Sequence, residues 1–187
     1  MGKIVIFSAP SGSGKTTIVR ELLKRFPQFE FSVSATSRQP RGQERDGVDY
    51  YFLTDEAFMR KVREGAFVEW EEVYNGTRYG TLRSEIERIW AKGHVILFDV
   101  DVMGGINLKR IFGRDACSIF IMPPSIEELR RRLEGRGTDS PEAIERRIGK
   151  AEFELGKASE FDHTVVNDRL DEAVAQTAAL IETFLAL

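Results

Sequence analysis

Short, nearly continuous apolar runs alternate with longer amphipathic segments along most of the chain. Residues 4–7 read Ile-Val-Ile-Phe, and after a turn the apolar residues from Ile18 to Phe26 recur at helical spacing. Three more pairs of apolar run and helical pattern lie at 95–98 and 102–111, 117–121 and 126–133, and 164–166 and 170–185. Uninterrupted apolar strands between helices are typical of a parallel sheet covered on both faces. We therefore expect an α/β fold with a parallel sheet flanked by helices.

Two segments interrupt this alternation. Residues 31–82 carry shorter, alternating, aromatic-rich runs, and Asn75-Gly76 is a strong hairpin turn signal, so we expect a small, partly antiparallel insertion there. Residues 130–157 are rich in arginine and helical in pattern. That pattern breaks at 135–137 and restarts at Ser140-Pro141, which supplies a helix cap and a proline in the first turn.

Composition excludes several classes of protein. The 187 residues include 27 Lys and Arg against 30 Asp and Glu, a net charge of −3 that gives no reason to expect nucleic-acid binding. The only cysteine, Cys117, lies in an apolar stretch typical of a buried thiol. No apolar run approaches the length of a membrane helix, and the N-terminal residues lack a signal-peptide layout. We expect a cytoplasmic protein that does not bind membranes; a monomer and a homo-oligomer both fit the sequence.

The strongest motif is a phosphate-binding loop. Residues 9–16 match G-x-x-x-x-G-K-[ST] except that alanine replaces the first glycine. Gly12 and Gly14 allow the backbone N–H groups to converge on an anion, Lys15 supplies a charge for the β- and γ-phosphates, and the Thr16 hydroxyl suits Mg²⁺. A glycine-rich turn with a solvated lysine is the alternative, which the position between the first strand and first helix disfavours. We expect ATP to contact Ala9, Pro10, Ser11, Gly12, Ser13, Gly14, Lys15, Thr16 and Thr17.

Two carboxylates follow the apolar run at 95–98. Asp99 and Asp101 should lie at the carboxyl end of a strand, where parallel sheets bind ligands. Asp99 is therefore a candidate Mg²⁺ ligand together with Thr16. The alternative is that the carboxylate only caps the helix that begins at Val102.

A second motif lies in the inserted segment. Residues 34–52 include Thr36, Arg38, Arg41 and Tyr50 near a loop, and arginine binds a phosphate group through two parallel hydrogen bonds. This stretch resembles the guanylate kinase signature T-x-R-x-x-R-x-G-E-x-x-G-x-D-Y-x-F, with Gln43 as a minor departure from it. Further matches to that family include Phe67-Val68-Glu69-Trp70, Tyr79-Gly80-Thr81 and Val166-Asn167-Asp168, and they extend in order over essentially the whole chain.

The resemblance to guanylate kinases implies roles for individual residues. Arg38, Arg41, Tyr50 and Tyr79 would bind the GMP phosphate, Glu69 would accept hydrogen bonds from guanine, and Ser34, Thr81, Asp99 and Asp101 would complete the substrate site. Lys15, Arg41, Arg136 and Arg147 would be catalytic, with Arg136 and Arg147 on a lid, and Arg132 and Asn167 near the adenine nucleotide. The substrates would be GMP and ATP, with Mg²⁺.

The same resemblance implies three regions. They are a core of residues 1–32, 83–122 and 159–187, an inserted mixed β/α GMP-binding lobe at 33–82, and a helical lid with adjoining helices at 123–158. Three other functions share some of these features. A kinase for AMP or dTMP would give no reason for a glutamate at Glu69 opposite a guanine edge. A phosphopeptide-binding module of this fold typically loses phosphate-loop residues that this chain keeps. A GTPase needs an N-K-x-D motif, which we do not find in the sequence.

Overall fold

The structure, a computed structural model, describes residues 2–74, 76–135, 137 and 140–187, with the backbone alone at 73 and 74. Its strands are β1 (Ile4–Ser8), β2 (Phe29–Phe31), β3 (Ala35–Thr36), β4 (Tyr51–Phe52), β5 (Phe67–Tyr74), β6 (Thr77–Leu82), β7 (Val95–Asp99), β8 (Ala116–Met122) and β9 (His163–Val166). Its helices are α1 (Lys15–Arg25), α2 (Asp55–Arg63), α3 (Arg83–Ala91), α4 (Val102–Phe112), α5 (Ile126–Glu134), α6 (Pro141–Leu155) and α7 (Leu170–Ala186). These elements form two compact units, one of residues 3–29 and 97–187 and one of residues 30–96 with Gly2.

A five-stranded sheet has the order β2-β7-β1-β8-β9, and its strands β1, β8 and β9 belong wholly to the first unit. Strand β8 runs parallel to both neighbours, with Ile4 opposite Ala116 and Ile119 opposite His163. All five residues of β1 are buried, as expected for a strand covered on both faces. Helix α4 packs against β1 and β8, and α7 packs against β8, β9 and α1. The predicted parallel sheet flanked by helices is confirmed.

The helix starts agree with the caps expected from sequence. The Ser125 hydroxyl accepts a hydrogen bond from the Glu128 N–H at 3.1 Å, and the Ser140 hydroxyl accepts one from the Ala143 N–H at 3.3 Å. Pro141 occupies the first turn of α6, where its missing N–H costs nothing. Local side-chain chemistry therefore sets where α5 and α6 begin.

Helices α5 and α6 pack through an apolar seam. Leu129 and Leu133 of α5 are fully buried against Ile144, Ile148 and Ala151 of α6. Because these α6 residues recur every three or four positions, they lie on one face of that helix. The seam fixes the rotation of α6 and so decides which of its polar side chains face the phosphate loop.

The second unit holds a four-stranded sheet of order β4-β3-β6-β5. Strand β3 is parallel to β4 and antiparallel to β6, and β5 is antiparallel to β6, which confirms the mixed, partly antiparallel insertion. Phe58 of α2 stacks on Phe67 with ring centroids 4.5 Å apart and is buried with Ala35 and Leu82. Asn75 of the predicted hairpin turn lies outside the described residues.

An ionic network surrounds the buried Glu85 in the second unit. The Glu85 carboxylate accepts hydrogen bonds from the Val33 N–H at 3.0 Å, the Tyr51 hydroxyl at 2.9 Å and the Arg88 guanidinium. Burial raises the pKa of Glu85, but these hydrogen bonds outweigh it and leave the pKa below its usual value. Arg88 also pairs with Glu30. The network keeps the carboxylates charged because each is supplied with donors.

None of the described helices is both long and apolar enough to cross a membrane.

The expected boundaries of a lobe at 33–82 and a lid region at 123–158 stay predictions.

Candidate functional site

The phosphate loop joins β1 to α1 in the geometry that an anion site requires. Gly12 and Gly14 have φ values of 99° and 89°, a region that side chains with a Cβ rarely adopt. Helix α1 begins at Lys15, directly after the loop, so its N-terminal N–H groups and positive dipole end adjoin the loop. The loop lines a cavity of about 430 Å³, a volume within the usual range for small-molecule sites.

Lys15, which we predicted to bind the triphosphate, lines this cavity. Lys15 Nζ donates a hydrogen bond to the Val100 carbonyl at 3.0 Å and forms an ion pair with Asp99. Thr16, Asp99 and Asp101 line the same cavity. The structure therefore brings the loop and the two carboxylates together, although they are more than 80 residues apart in sequence.

The two carboxylates after β7 differ in what they contact. Asp101 Oδ1 accepts a hydrogen bond from the Gly104 N–H at 2.7 Å and so caps α4. The Asp101 carbonyl also accepts a hydrogen bond from the Ser8 hydroxyl at 3.0 Å. Asp99 is the carboxylate that meets Lys15. The capping role that we weighed against a metal role for Asp99 thus belongs to Asp101.

The cavity also fits a magnesium ion by the chemistry of its donors. The Thr16 hydroxyl and the Asp99 carboxylate both line it, and hard oxygen donors of this kind are those that Mg²⁺ prefers. Among the described residues there is no cluster of three or more His, Cys, Asp or Glu that would form a dedicated metal cage. That pattern suits an ion held by one or two side chains and by phosphate oxygens.

A side chain from the far end of the sequence braces the phosphate loop. Asn167 Nδ2 donates a hydrogen bond to the Ser13 carbonyl at 2.7 Å, and the Asn167 carbonyl accepts one from Arg132 at 3.0 Å. A Cβ on Gly14 would lie 2.2 Å from Asn167 Nδ2, so the close packing requires glycine there. Of the two residues predicted to lie near the adenine nucleotide, Asn167 thus contacts the loop directly and Arg132 contacts Asn167.

Helix α6 supplies the remaining wall of the cavity. Arg147 donates a hydrogen bond to the Ser11 hydroxyl at 3.3 Å, and Lys150 and Glu154 line the same cavity. Arg136, the other predicted lid arginine, lies outside the described residues. Our sequence reasoning missed Lys150 and Glu154. Lys150 and Glu154 follow Arg147 by three and seven residues, so all three lie on one face of the helix. This spacing is the sequence signal by which both residues could have been predicted.

In the second unit, Arg38, the predicted phosphate-binding arginine, contacts four side chains. Arg38 donates two hydrogen bonds to Glu44, at 2.6 and 2.8 Å, and one to the Tyr79 hydroxyl at 3.1 Å. Its guanidinium lies 4.9 Å from the Tyr50 ring centroid and 5.6 Å from that of Phe52. The structure therefore brings Arg38, Tyr50 and Tyr79 together.

Glu44 organises this cluster. Its carboxylate also accepts a hydrogen bond from the Arg41 backbone N–H at 2.8 Å. The hydrogen bonds from Arg38 and then from Arg41 lower the pKa of Glu44 to about 2, and the Arg38 pKa is raised in return, chiefly by the Glu44 hydrogen bond. Glu44 is a functional candidate that the motif contains but to which we gave no role. Arg41 itself is exposed.

The predicted guanine-reading residues meet across a strand pair. Glu69 of β5 lies opposite Thr81 of β6, and the Thr81 hydroxyl donates to Glu69 Oε1 at 2.7 Å. Because Thr81 is buried, its hydroxyl holds the Glu69 carboxylate in a defined orientation. Ser34 lies just before β3, where its carbonyl accepts the Tyr51 N–H at 2.9 Å.

Comparison with known sequences and structures identifies relatives over the full length of the chain. The family model described as guanylate kinase matches residues 1–184. Guanylate kinase of Bacteroides thetaiotaomicron is 54% identical over 184 residues, which cover 98% of this chain and 90% of that protein. The protein of the same name from Porphyromonas gingivalis is 51% identical over 187 residues, the full length of both chains.

Solved structures agree with the sequence comparisons. The crystal structure of guanylate kinase from Anaplasma phagocytophilum matches with a TM-score of 0.74 and 32% identity, over 97% of this chain and 85% of that one. Shikimate kinase from Bacteroides thetaiotaomicron matches with a TM-score of 0.51 and 13% identity, over 96% of this chain and 98% of that one, and shares the fold alone. On the family match, on relatives more than half identical over nearly all of its length and on this fold, the chain belongs to the guanylate kinase family.

Proposed function

We propose that this protein transfers the γ-phosphoryl group of ATP to GMP and releases ADP and GDP. The observation that carries the proposal is that one chain contains two separate sets of phosphate- and base-binding candidates. In the first unit, Lys15 of the phosphate loop forms an ion pair with Asp99. In the second unit, the cluster of Arg38, Tyr50 and Tyr79 accompanies the Glu69–Thr81 hydrogen bond. An anion site for a triphosphate and a separate site for a monophosphate nucleotide are what a nucleoside monophosphate kinase needs.

The phosphate loop is proposed to bind ATP. Its backbone N–H groups and the start of α1 attract the phosphates, and Lys15 exchanges its ion pair with Asp99 for phosphate oxygens. Asp99 and Thr16 would hold Mg²⁺, which neutralises phosphate charge when it is bound. Asn167 supports this site by holding the Ser13 carbonyl and hence the loop conformation, and Arg132 in turn donates a hydrogen bond to the Asn167 carbonyl.

The Arg38 cluster is proposed to bind the GMP phosphate. Arg38 presents a guanidinium that Glu44 and the Tyr50 ring already hold in place, so little side-chain freedom remains to be lost on binding. Arg41 and the Tyr79 hydroxyl add further donors. Glu69, oriented by Thr81, is proposed to accept hydrogen bonds from guanine N1–H and the 2-amino group, with Ser34 and Asp101 completing the base site.

These residues suffice for phosphoryl transfer without a nucleophilic side chain. An oxygen of the GMP phosphate attacks the γ-phosphorus, a new P–O bond forms, and the bond to the ADP oxygen breaks. The transition state spreads negative charge over the equatorial oxygens, so positive charge and positioning provide the catalysis. Lys15, Arg41, Arg136 and Arg147 are the proposed sources of that charge.

The remaining features of the proposal concern organisation and location. We propose a core of residues 1–32, 83–122 and 159–187, a GMP-binding lobe at 33–82 and a lid region at 123–158. The protein is proposed to act in the cytoplasm on the small molecules ATP and GMP, without nucleic acid or membrane as a partner.

A coupled assay tests the proposed activity directly. ADP formation is measured with ATP and each of GMP, AMP, UMP and dTMP in turn, in the presence of Mg²⁺. GMP should give a kcat/KM at least one hundredfold above that for AMP, since a hydrogen-bonding site rejects partners that leave its polar groups unpaired. Preference for another monophosphate would contradict the proposal. Binding of a phosphopeptide without turnover of any nucleotide would point to a recognition module instead.

A further inference from the structure

Two side chains of α6 line the phosphate-loop cavity and take no part in the assignments made for ATP and GMP. Lys150 and Glu154 follow Arg147 by three and seven residues, so the three side chains project from one face of α6. Residues Ile144 and Ile148 of that helix are buried against α5. This apolar seam fixes the rotation of α6. As a result, the face that carries Arg147, Lys150 and Glu154 lines the cavity.

Glu154 is an unexpected residue for an anion-binding cavity. Its side chain is only 8% exposed, and a buried carboxylate repels a polyphosphate unless a cation accompanies it. Burial is the largest effect and leaves the pKa of Glu154 above its usual value, although Lys150 and Lys15 lower it; Asp101 raises it further. The accompanying cation is Lys150, whose Nζ lies 3.5 Å from Glu154 Oε1.

Stabilisation of the helix is a weak reason for this ion pair. In pairs separated by four residues, the order with Glu nearer the N-terminus is the favourable one, and here Lys150 precedes Glu154. The Lys150 side chain is 55% exposed, so its ammonium remains accessible to a ligand in the cavity. Its neighbour on the same face, Arg147, already reaches the loop residue Ser11.

We propose that Lys150 is a further phosphate-binding residue that contacts the triphosphate of ATP, and that Glu154 is a positioning residue that holds the Lys150 ammonium at the cavity. The inference rests on the ATP site proposed above. It adds a third cation to Lys15 and Arg147 and explains why a buried carboxylate stands beside a phosphate site.

Binding measurements separate this role from a structural one. The dissociation constant of the nonhydrolysable ATP analogue AMP-PNP is measured by isothermal titration calorimetry on the full chain with Mg²⁺, and that of GMP separately. Lys150→Met should weaken AMP-PNP binding about tenfold, the value of one charged hydrogen bond to a partly exposed partner. GMP affinity should stay unchanged, and Lys150→Arg should retain AMP-PNP affinity.

Two control variants accompany the measurement. Lys24→Met is the matched control, because Lys24 is an exposed lysine of α1 that forms an ion pair with Glu21 of the same helix. Lys24 is not among the residues that line the cavity. The AMP-PNP affinity of Lys24→Met should therefore equal that of the wild type. Lys15→Ala reports on the ATP site itself. An unchanged AMP-PNP affinity in Lys15→Ala would overturn the site assignment and the role of Lys150 with it. If Lys15→Ala weakens binding but Lys150→Met behaves like Lys24→Met, only the role of Lys150 is overturned.

The positioning role of Glu154 has its own signature. Glu154→Gln should weaken AMP-PNP binding about threefold when Lys150 is present and have no further effect in the Lys150→Met background, because the coupling acts through the lysine. Tighter AMP-PNP binding in Glu154→Gln would mean that the carboxylate merely repels phosphate. That result would overturn the positioning role.

Discussion

The choice of base is the most demanding prediction, because it depends on one carboxylate. Guanine offers two adjacent donors, N1–H and the 2-amino group, whereas adenine offers an acceptor at N1 and no 2-amino group. The Thr81 hydroxyl donates a hydrogen bond to Glu69 Oε1 at 2.7 Å, and a carboxylate has several acceptor positions, so Glu69 can also accept hydrogen bonds from a base. Glu69→Gln replaces one of these oxygens with an amide that donates.

The magnitude follows from the number of hydrogen bonds lost. A hydrogen bond to a charged group contributes about 1.5–3 kcal/mol, and the glutamine keeps at most one acceptor toward guanine. We therefore expect the KM for GMP to rise by roughly 10- to 150-fold. The Gln amide can serve the adenine N1 lone pair, so the preference for GMP over AMP should narrow by at least that factor.

Steady-state kinetics with GMP and AMP at saturating ATP provide the measurement. Glu72→Gln is the matched control, since Glu72 lies in the same strand, three residues along, and pairs with Arg78 instead. The control should leave the ratio of kcat/KM values for GMP and AMP unchanged. An unchanged ratio in Glu69→Gln would refute the assignment of Glu69 as the base reader, and a raised KM for ATP would show that the substitution acts elsewhere.

Three further predictions address turnover and stability. Lys15→Ala should lower kcat by at least a hundredfold, because it removes a charge aimed at the transferring group; near-normal turnover in a variant with an unchanged circular dichroism spectrum would contradict this. Arg136→Ala and Arg147→Ala should each lower kcat more than they weaken GMP binding in the absence of ATP, and lost GMP affinity at unchanged kcat would instead assign the residue to the GMP pocket. Burial raises the Glu30 pKa, but hydrogen bonds from Lys92, Arg88 and His94 outweigh it and lower the pKa to about 2. The stabilisation from Glu30 is therefore present above the pKa of about 4.5 that the unfolded chain has, and it is lost as the pH falls toward 2. Chemical denaturation of the wild type and of Glu30→Gln should differ by roughly 1 kcal/mol near pH 7 and converge near pH 2, since the carboxylate is partly solvated; a constant difference across that range would exclude a titrating Glu30.

Local chemistry made much of the first unit predictable from sequence. A strand, a glycine-rich turn and a helix in succession define the phosphate loop, because its function depends on backbone conformations that Gly12 and Gly14 permit. Ser125 and Ser140 mark helix starts because their hydroxyls satisfy N–H groups within three residues. The positions of α2 and α3 were not predicted, because each helix is only nine residues long and apolar runs this short do not distinguish a helix from a strand.

What the sequence by itself determined was the class of fold, the phosphate loop and the motifs that mark the family. Tertiary structure decided the strand order β2-β7-β1-β8-β9 and the contacts between residues far apart in the chain. Asn167 reaches the Ser13 carbonyl across 154 positions, and Asp99 meets Lys15 because the strand and the loop that carry them are adjacent. The rotation of α6, set by its seam with α5, brought Lys150 and Glu154 to the cavity. Hydrogen bonds within a turn depend on neighbouring residues alone, whereas these contacts depend on how the buried faces of distant elements pack together.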